Sequence, residues 1–368
     1  MESSWLHEHT EQHGSESSSG RGLLAAAAAV VGAGVLVGAS GYPGGSAADA
    51  PAKIEVVANP YARPSEAQPL PSRITLYQYE VCPYCCKVRA LLDYYKLPYT
   101  SIEVNPLTKG ELSWSSYKKV PVVKLDDEVV ADSSAIMSRL AVDVAAARPL
   151  APPPAPAPSA SVAAAPPKRS SWSFFGSSSS SNDSADVAPA KDQAAVAAPS
   201  PAANAAAAAV DEEEEVKWRK WVDERLVKVL TANIYRNWDE SVETFKYITE
   251  QTGWSWGSRE LARWAGAVMM WQVGKRMPTK YGIEGDLRTA LYDTANDFVD
   301  NALRGRRFAG GEQPNLADIA AFGVIRAVRQ TGAFRDLMAN SRLGPWFEAM
   351  EAVVGGSARV NPAPGAAA

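Results

Sequence analysis

From residue 148 to 210 the chain is built almost wholly of alanine, proline and serine, with an unbroken serine run at 177–181. Such a tract buries too little apolar surface to offset the entropy of ordering it, so it is expected to be a flexible linker or an exposed loop. It divides the 368 residues into two foldable parts. A second unpromising stretch precedes residue 73. Residues 1–21 are polar, Gly22 to Ala48 carries no charge, and 41–72 reads as a Pro/Gly/Ala-rich spacer. Alanine runs inflate the 46% apolar fraction, so the expected domains are 73–147 and 211–356, flanked by a disordered N-terminus, 1–72, and a disordered tail, 357–368. Leu23 to Ser40 approaches the length of a membrane span, about 20 residues, although alanine and glycine favour insertion weakly. Three readings stand for residues 22–40: an anchor making membrane contact, a cleaved signal or transit segment, or a disordered alanine-rich tail. The acidic N-terminus argues against a mitochondrial or plastid transit peptide.

The charge balance, 37 basic against 41 acidic residues, lacks the footprint of a nucleic-acid binder. All three cysteines fall in one cluster, Cys82, Cys85 and Cys86. That is no secreted disulfide framework; it indicates a local thiol site in a reducing compartment. The three histidines, His7, His9 and His13, all sit in the N-terminal tail. A folded body without histidine excludes Ser-His-Asp and Cys-His catalysis, the common zinc sites and a proximal-histidine haem. No metal site is expected.

Within 73–147 the pattern predicts β-α-β followed by β-β-α. Arg73 to Tyr79 alternates β-branched and aromatic residues as a strand does. Lys87 to Lys96 is a helix by its apolar residues at Val88, Leu91, Leu92 and Tyr95. Strands follow at Tyr99 to Val104, Val120 to Leu125 and Val129-Val130, and a helix opens at Asp132-Ser133. A helical crossover makes the first two strands parallel neighbours. From Val216 to about Val354 every apolar pattern is helical, and this half holds eight of the eleven tryptophans, which core packing explains for the most part. The acidic run Asp211 to Glu215 is a solvated helix start. Asn315 and Asp318 form a capping-box variant, a folding element rather than a catalytic one.

The chemistry concentrates between the first strand and the first helix. In Cys82-Pro83-Tyr84-Cys85 the first thiol falls at a helix N-terminus, where free N–H groups stabilise a thiolate. The second lies one turn along, in reach to resolve a mixed disulfide. A metal site would need a second cysteine pair, which the sequence lacks; a structural disulfide is the remaining alternative. Pro121 belongs at a strand start because it cannot donate to the ladder, and a cis Val120–Pro121 bond would turn the Val120 backbone toward the cysteines; an ordinary trans turn is the alternative. Asp132 and Ser133 join a carboxylate, a hydroxyl and free helix N–H groups, suited to an amino-acid moiety or simply to capping a helix. Tyr79 is placed to hydrogen-bond a thiolate or a substrate oxygen, or to pack in the core. Cys86 should be packed and inert.

Taken together, Tyr77-Gln78-Tyr79-Glu80-Val81-Cys82-Pro83-Tyr84-Cys85, Val104-Asn105-Pro106, Ser115 to Pro121, Asp132-Ser133-Ser134, Lys275-Arg276 and Gln313 to Asp318 resemble the membrane-associated prostaglandin E synthase type 2 family, within the glutathione transferase superfamily. The resemblance covers about 73–146 and 211–354 and implies an α/β plus all-α fold: a thioredoxin/glutaredoxin-like domain followed by a glutathione-transferase-like helical domain. It implies glutathione held by Val120, Pro121, Asp132 and Ser133. It further implies Cys82 as the essential thiol, Tyr79 as its hydrogen-bond partner and Cys85 as the second motif cysteine. The implied reaction is isomerisation of prostaglandin endoperoxide to prostaglandin E, in lipid metabolism. Family members also bind haem together with glutathione, and dimerisation through the helical half is implied by the same resemblance. Two departures stand out: Cys86 replaces a small polar residue, and the 148–210 tract is longer than the family's.

The expectation is therefore a glutathione-dependent isomerase acting on a small-molecule substrate, tethered to a membrane with its body on a reducing side, cytosolic or organelle-interior. A glutaredoxin-like thiol–disulfide oxidoreductase or glutathione transferase is the alternative, and a non-enzymatic haem- or glutathione-binding tethered module is the third.

Overall fold

In the computed structural model the described residues are Ile54, 56–106, 108–147, 201–250 and 256–363. The candidate membrane segment 22–40 and most of the 148–210 tract lie outside them. Among the described residues no helix is long and apolar enough to cross a membrane.

β1 (Ile74–Gln78) is the strand that alternation predicted, buried along most of its length. α1 (Pro83–Tyr94) begins earlier than its apolar spacing indicates. Pro83 causes this: its fixed φ and missing N–H suit a first helical turn. Lys96, with φ 52°, then reverses the chain into β2 (Thr100–Glu103). β3 (Val122–Leu125) and β4 (Glu128–Ala131) form a hairpin, and α2 (Ser133–Ala147) closes the unit. The sheet order is β2-β1-β3-β4. β1 and β2 are parallel, with Thr75 opposite Thr100, as a crossover helix requires. β1–β3 and β3–β4 are antiparallel, with Leu76 opposite Val123 and Val123 opposite Val130. This is a thioredoxin-like mixed sheet.

The second half is helical, as the sequence indicated. α3 (Pro201–Trp221) runs through a π turn, Val222–Leu226, into α4 (Val227–Ile234). α3 thus starts inside the stretch expected to be linker. Alanine has the highest helix propensity, and the run at 205–209 extends a helix already nucleated by packing further on. Next come α5 (Trp238–Glu250), α6 (Trp256–Gly274), α7 (Met277–Tyr281) and α8 (Leu287–Asp297). A second π turn, Phe298–Leu303, precedes α9 (Leu316–Arg326), α10 (Gly332–Asn340) and α11 (Gly344–Val354). The capping box forms: Asn315 Oδ1 accepts from the Asp318 N–H and Asp318 Oδ2 from the Asn315 N–H. Asp318, fully buried, also accepts from Ala309 N, Gly310 N and Trp346 Nε1, tying a loop, α9 and α11 together.

One apolar core runs through both halves, from Leu76 and Leu91 to Phe322 and Trp346. The tryptophans divide. Trp218 and Trp346 pack against Phe298 in that core, whereas Trp256 and Trp264 are 74% and 47% exposed.

Two segments expected to be disordered are bound instead. In the spacer, the Tyr61 hydroxyl donates to Asp223, Arg63 pairs with Glu215 at 2.8 Å, and Gln68 N donates to Asp143. In the tail, Val360 N donates to Tyr99 O, the Asn361 side chain brackets the Ser101 backbone, and Arg359 pairs with Glu80 at 2.7 Å. These residues have no periodic apolar pattern; their order comes from polar partners far away in sequence.

Candidate functional site

Cys82 is the N-cap of α1, with extended backbone (φ −73°, ψ 124°) just before the helix N–H groups. Its thiol is held below the usual range. The largest cause is a hydrogen bond from the Cys85 thiol; the backbone N–H groups of Cys85 and Tyr84 and the Arg89 charge add to it, against the cost of burial. The fully buried Cys85 is pushed well up, by burial and by its bond to Cys82. The pair is therefore asymmetric: Cys82 is the more acidic thiol, and Cys85 the one that keeps its proton. Burial also pushes the Cys86 thiol up, and it contacts Arg89 Nη2 at 2.9 Å, packed as expected.

A cavity of about 570 Å³ opens where the two halves meet. Its floor is Tyr79 to Pro83 with Glu103 to Pro106, and Glu111 stands at one side. Opposite lie Leu230 and Ile234 of α4, Thr244, Tyr247 and Ile248 of α5, and Val324 of α9 with Val328 and Thr331 beyond it. The walls are largely aliphatic. Tyr79 faces the same space as Cys82, and its hydroxyl is pushed up to about 12 by burial and by the Cys82 charge. At neutral pH it keeps its proton and is a donor. Among the described residues the bond between the two is from Cys82 N to Tyr79 O, 3.1 Å, rather than from the hydroxyl to the sulfur.

The Val120–Pro121 bond is cis. Val120 stays half-exposed and outside the ladder, which begins at Val122. Asp132 sits in the left-handed region at φ 79°, and its Oδ1 accepts from Ser134 N and Ala135 N at 2.8 and 3.2 Å. Ser133 is buried. None of these four lines the apolar cavity. Asp132 lies within electrostatic reach of Tyr84, inside the thiol motif. The seven expected residues thus fall into two groups: Tyr79 and Cys82 on the cavity with Cys85 behind, and the other four on a flank outside its lining, where β3 begins beside the end of β4.

Two features of the site escaped the sequence reading. Glu103, at the end of β2, lines the cavity, and burial pushes its carboxyl up to about 7. A polar residue at the carboxyl end of a strand that is parallel to the thiol strand was the available signal, since that end is where such sheets present ligands. Lys87 is fully buried; its ammonium sits 2.5 Å from Asp223 and 3.0 Å from Ser134 Oγ, and joins the two halves beside the motif. Asp223 belongs to the π turn 222–226, a distortion that the helical pattern does not signal.

Residues 76–146 match the model of the glutathione S-transferase N-terminal domain. Prostaglandin E synthase 2 of Danio rerio is 32% identical over 282 residues, covering 76% of this chain and 70% of that one. The Mus musculus protein of the same name is 32% identical over 286 residues, 77% and 70% of the two chains. Among solved structures, a possible glutathione S-transferase from Rhodopseudomonas palustris aligns with TM-score 0.40 at 15% identity, over 79% of this chain and all of its own. Human glutathione S-transferase T1-1 aligns with TM-score 0.41 at 15% identity, over 77% and 84%.

Proposed function

The chain belongs to the prostaglandin E synthase 2 family, and on that premise we propose that it is a glutathione-dependent isomerase converting a prostaglandin endoperoxide to prostaglandin E. One observation carries the reading: a thiol favoured as thiolate opens onto a largely aliphatic cavity between the two halves. In this proposal the Cys82 sulfur attacks a peroxide oxygen, and loss of a proton from the ring carbon gives the ketone. Tyr79, which keeps its proton, donates to oxygen in the cavity. Cys85 holds the thiolate by hydrogen bonding and stands one turn away to release an adduct.

Glutathione would lie on the flank formed by Val120, Pro121, Asp132 and Ser133. Asp132 Oδ2 has no partner among the described residues and would take the ammonium, the Val120 backbone before cis-Pro121 would pair with the peptide, and the N-terminus of α2 at Ser133 would take the carboxylate. Bound there, glutathione would supply a second thiol. Haem finds less support. Among the lining residues no lysine or arginine stands ready for its propionates and no histidine or methionine for its iron, and the thiol that could ligate iron, Cys82, is the group the proposed reaction uses, so no step is assigned to haem.

The test is turnover of prostaglandin endoperoxide by the purified full chain, with and without glutathione, read as prostaglandin E. Activity that falls at least about 100-fold in Cys82→Ser is expected; no turnover above background in either condition overturns the proposal. The thiolate–thiol pairing of Cys82 and Cys85 also favours a second reading, glutaredoxin-like reduction of a glutathione mixed disulfide. That activity, present without isomerisation, would replace the first.

A further inference from the structure

The proposed isomerisation needs a base for a hydrogen on carbon, and none of the expected residues that line the cavity carries a carboxylate. We infer that Glu103 is that base, its carboxylate sharing the cavity floor with Cys82. The inference rests on the isomerase reading.

Elimination around the cavity points to it. Tyr79 and Tyr247 line the wall, but each hydroxyl is pushed up to about 12, so they donate rather than accept protons. Glu80 is clamped between Arg89 at 3.0 Å and Arg359 at 2.7 Å. Glu111 accepts the Asn105 N–H at 2.9 Å from a short 3-10 turn at the side. Glu103 differs from Glu80 in pairing with no cation, and from Glu111, which also accepts one backbone N–H, in standing at the end of β2 and bonding to the Glu80 backbone beside the thiol motif. Its Oε1 accepts the Glu80 N–H at 2.8 Å, which fixes the carboxyl in place. Its Oε2 has only a long contact, 3.5 Å, with Gln78 Nε2. Among the described residues no cation pairs with it. One oxygen is held and the other retains its lone pairs. Burial raises its basicity, while the nearby Arg89 charge opposes that and the Glu80 charge adds to it.

Atoms and electrons balance along this route. Sγ of Cys82 bonds to the peroxide oxygen on the carbon that becomes the ketone. The O–O bond breaks, and its electron pair leaves with the other oxygen, which takes the Tyr79 proton to become a hydroxyl. Glu103 then removes the hydrogen from the carbinol carbon. That C–H pair forms the C=O bond as the S–O bond breaks, returning the thiolate. Glu103 passes its proton back to Tyr79. No outside oxidant or reductant is needed, because the reaction is an isomerisation.

The experiment measures steady-state turnover of endoperoxide against pH in the full chain, alongside Cys82 alkylation by iodoacetamide. Wild type should gain kcat/KM as pH rises through about 7. Glu103→Gln should lose that limb and about 10²–10⁴-fold in kcat, with the alkylation profile of Cys82 little changed. Glu103→Asp should recover part of the rate, and deuterium on the carbinol carbon should slow Glu103→Gln more than wild type. An active wild type whose Glu103→Gln variant keeps both kcat and the limb overturns the inference alone. An inactive wild type overturns the isomerase reading and this inference with it. Should Glu103→Gln fail to fold, infrared spectroscopy of wild type decides: without a protonated-carboxyl band that disappears as pH rises through about 7, the inference falls.

Discussion

At the scale of single residues, the helix N-terminus alone does not account for the thiolate at Cys82. The largest contribution is a hydrogen bond from Cys85, which holds its own proton because it is buried against that charge. Cys85→Ala should therefore raise the pH at which Cys82 is alkylated by iodoacetamide; an unmoved midpoint would leave only the backbone N–H groups as the cause. Glu103 carries the opposite sign. Its folded-state pKa, about 7, lies above the ordinary glutamate value, so between about 4.5 and 7 the folded chain binds more protons than the unfolded one. Glu103 should therefore contribute a fall in stability with rising pH across that window, and Glu103→Gln should flatten it, as thermal melts at successive pH values would show. Cys82, Cys85 and Tyr79 were legible because their signal is local: cysteine spacing beside a strand and before a proline. Glu103 was not, because its meaning depends on Glu80 and Gln78 across the sheet.

At the scale of elements, the junction of the two halves rests on a close crossing of α9 over α1. A Cβ added at Gly323 would stand 2.6 Å from Lys87 Cα and 2.7 Å from Cys86 O. Both are backbone atoms of the thiol helix, which no rotamer change can move. Gly323→Ala should thus destabilise the chain by about 1–3 kcal/mol through overpacking and slow Cys82 alkylation by shifting α1. An unchanged melting temperature would show that the helices have slack. The strands and helices of the first half could be read from alternation and spacing to within a few residues, since each buries one face. Helix ends were less legible: Pro83 starts α1 ahead of its apolar stripe, and Pro201 starts α3 in an alanine run whose helicity depends on the packing of Trp218 and its neighbours further along the helix.

Across the whole molecule, order depends on polar contacts between distant segments, which is why the sequence assigned 56–72 and 357–363 to disorder. No periodicity marks Tyr61 as a partner of Asp223, or Arg359 as a partner of Glu80. The centre of this network is Lys87, fully buried in the thiol half and neutralised by Asp223 of the helical half, which also accepts from Tyr61 Oη and Ser134 Oγ. Burial holds the Lys87 ammonium below its usual range despite Asp223. Asp223→Ala should consequently cost about 3–5 kcal/mol, since it strands a buried charge. Pairing Lys87→Met with Asp223→Leu should cost less than Asp223→Ala alone, because no ion is then left without a partner, although two hydroxyls lose their acceptor. The pH dependence separates charge from packing. A lysine whose folded pKa lies below its unfolded value leaves the folded chain with fewer bound protons, so stability rises with pH through that interval. In Asp223→Ala this rise should steepen as Lys87 folds neutral, while the double variant should lose it. Equal losses at every pH, followed by chemical denaturation, would assign the cost to packing at the π turn instead.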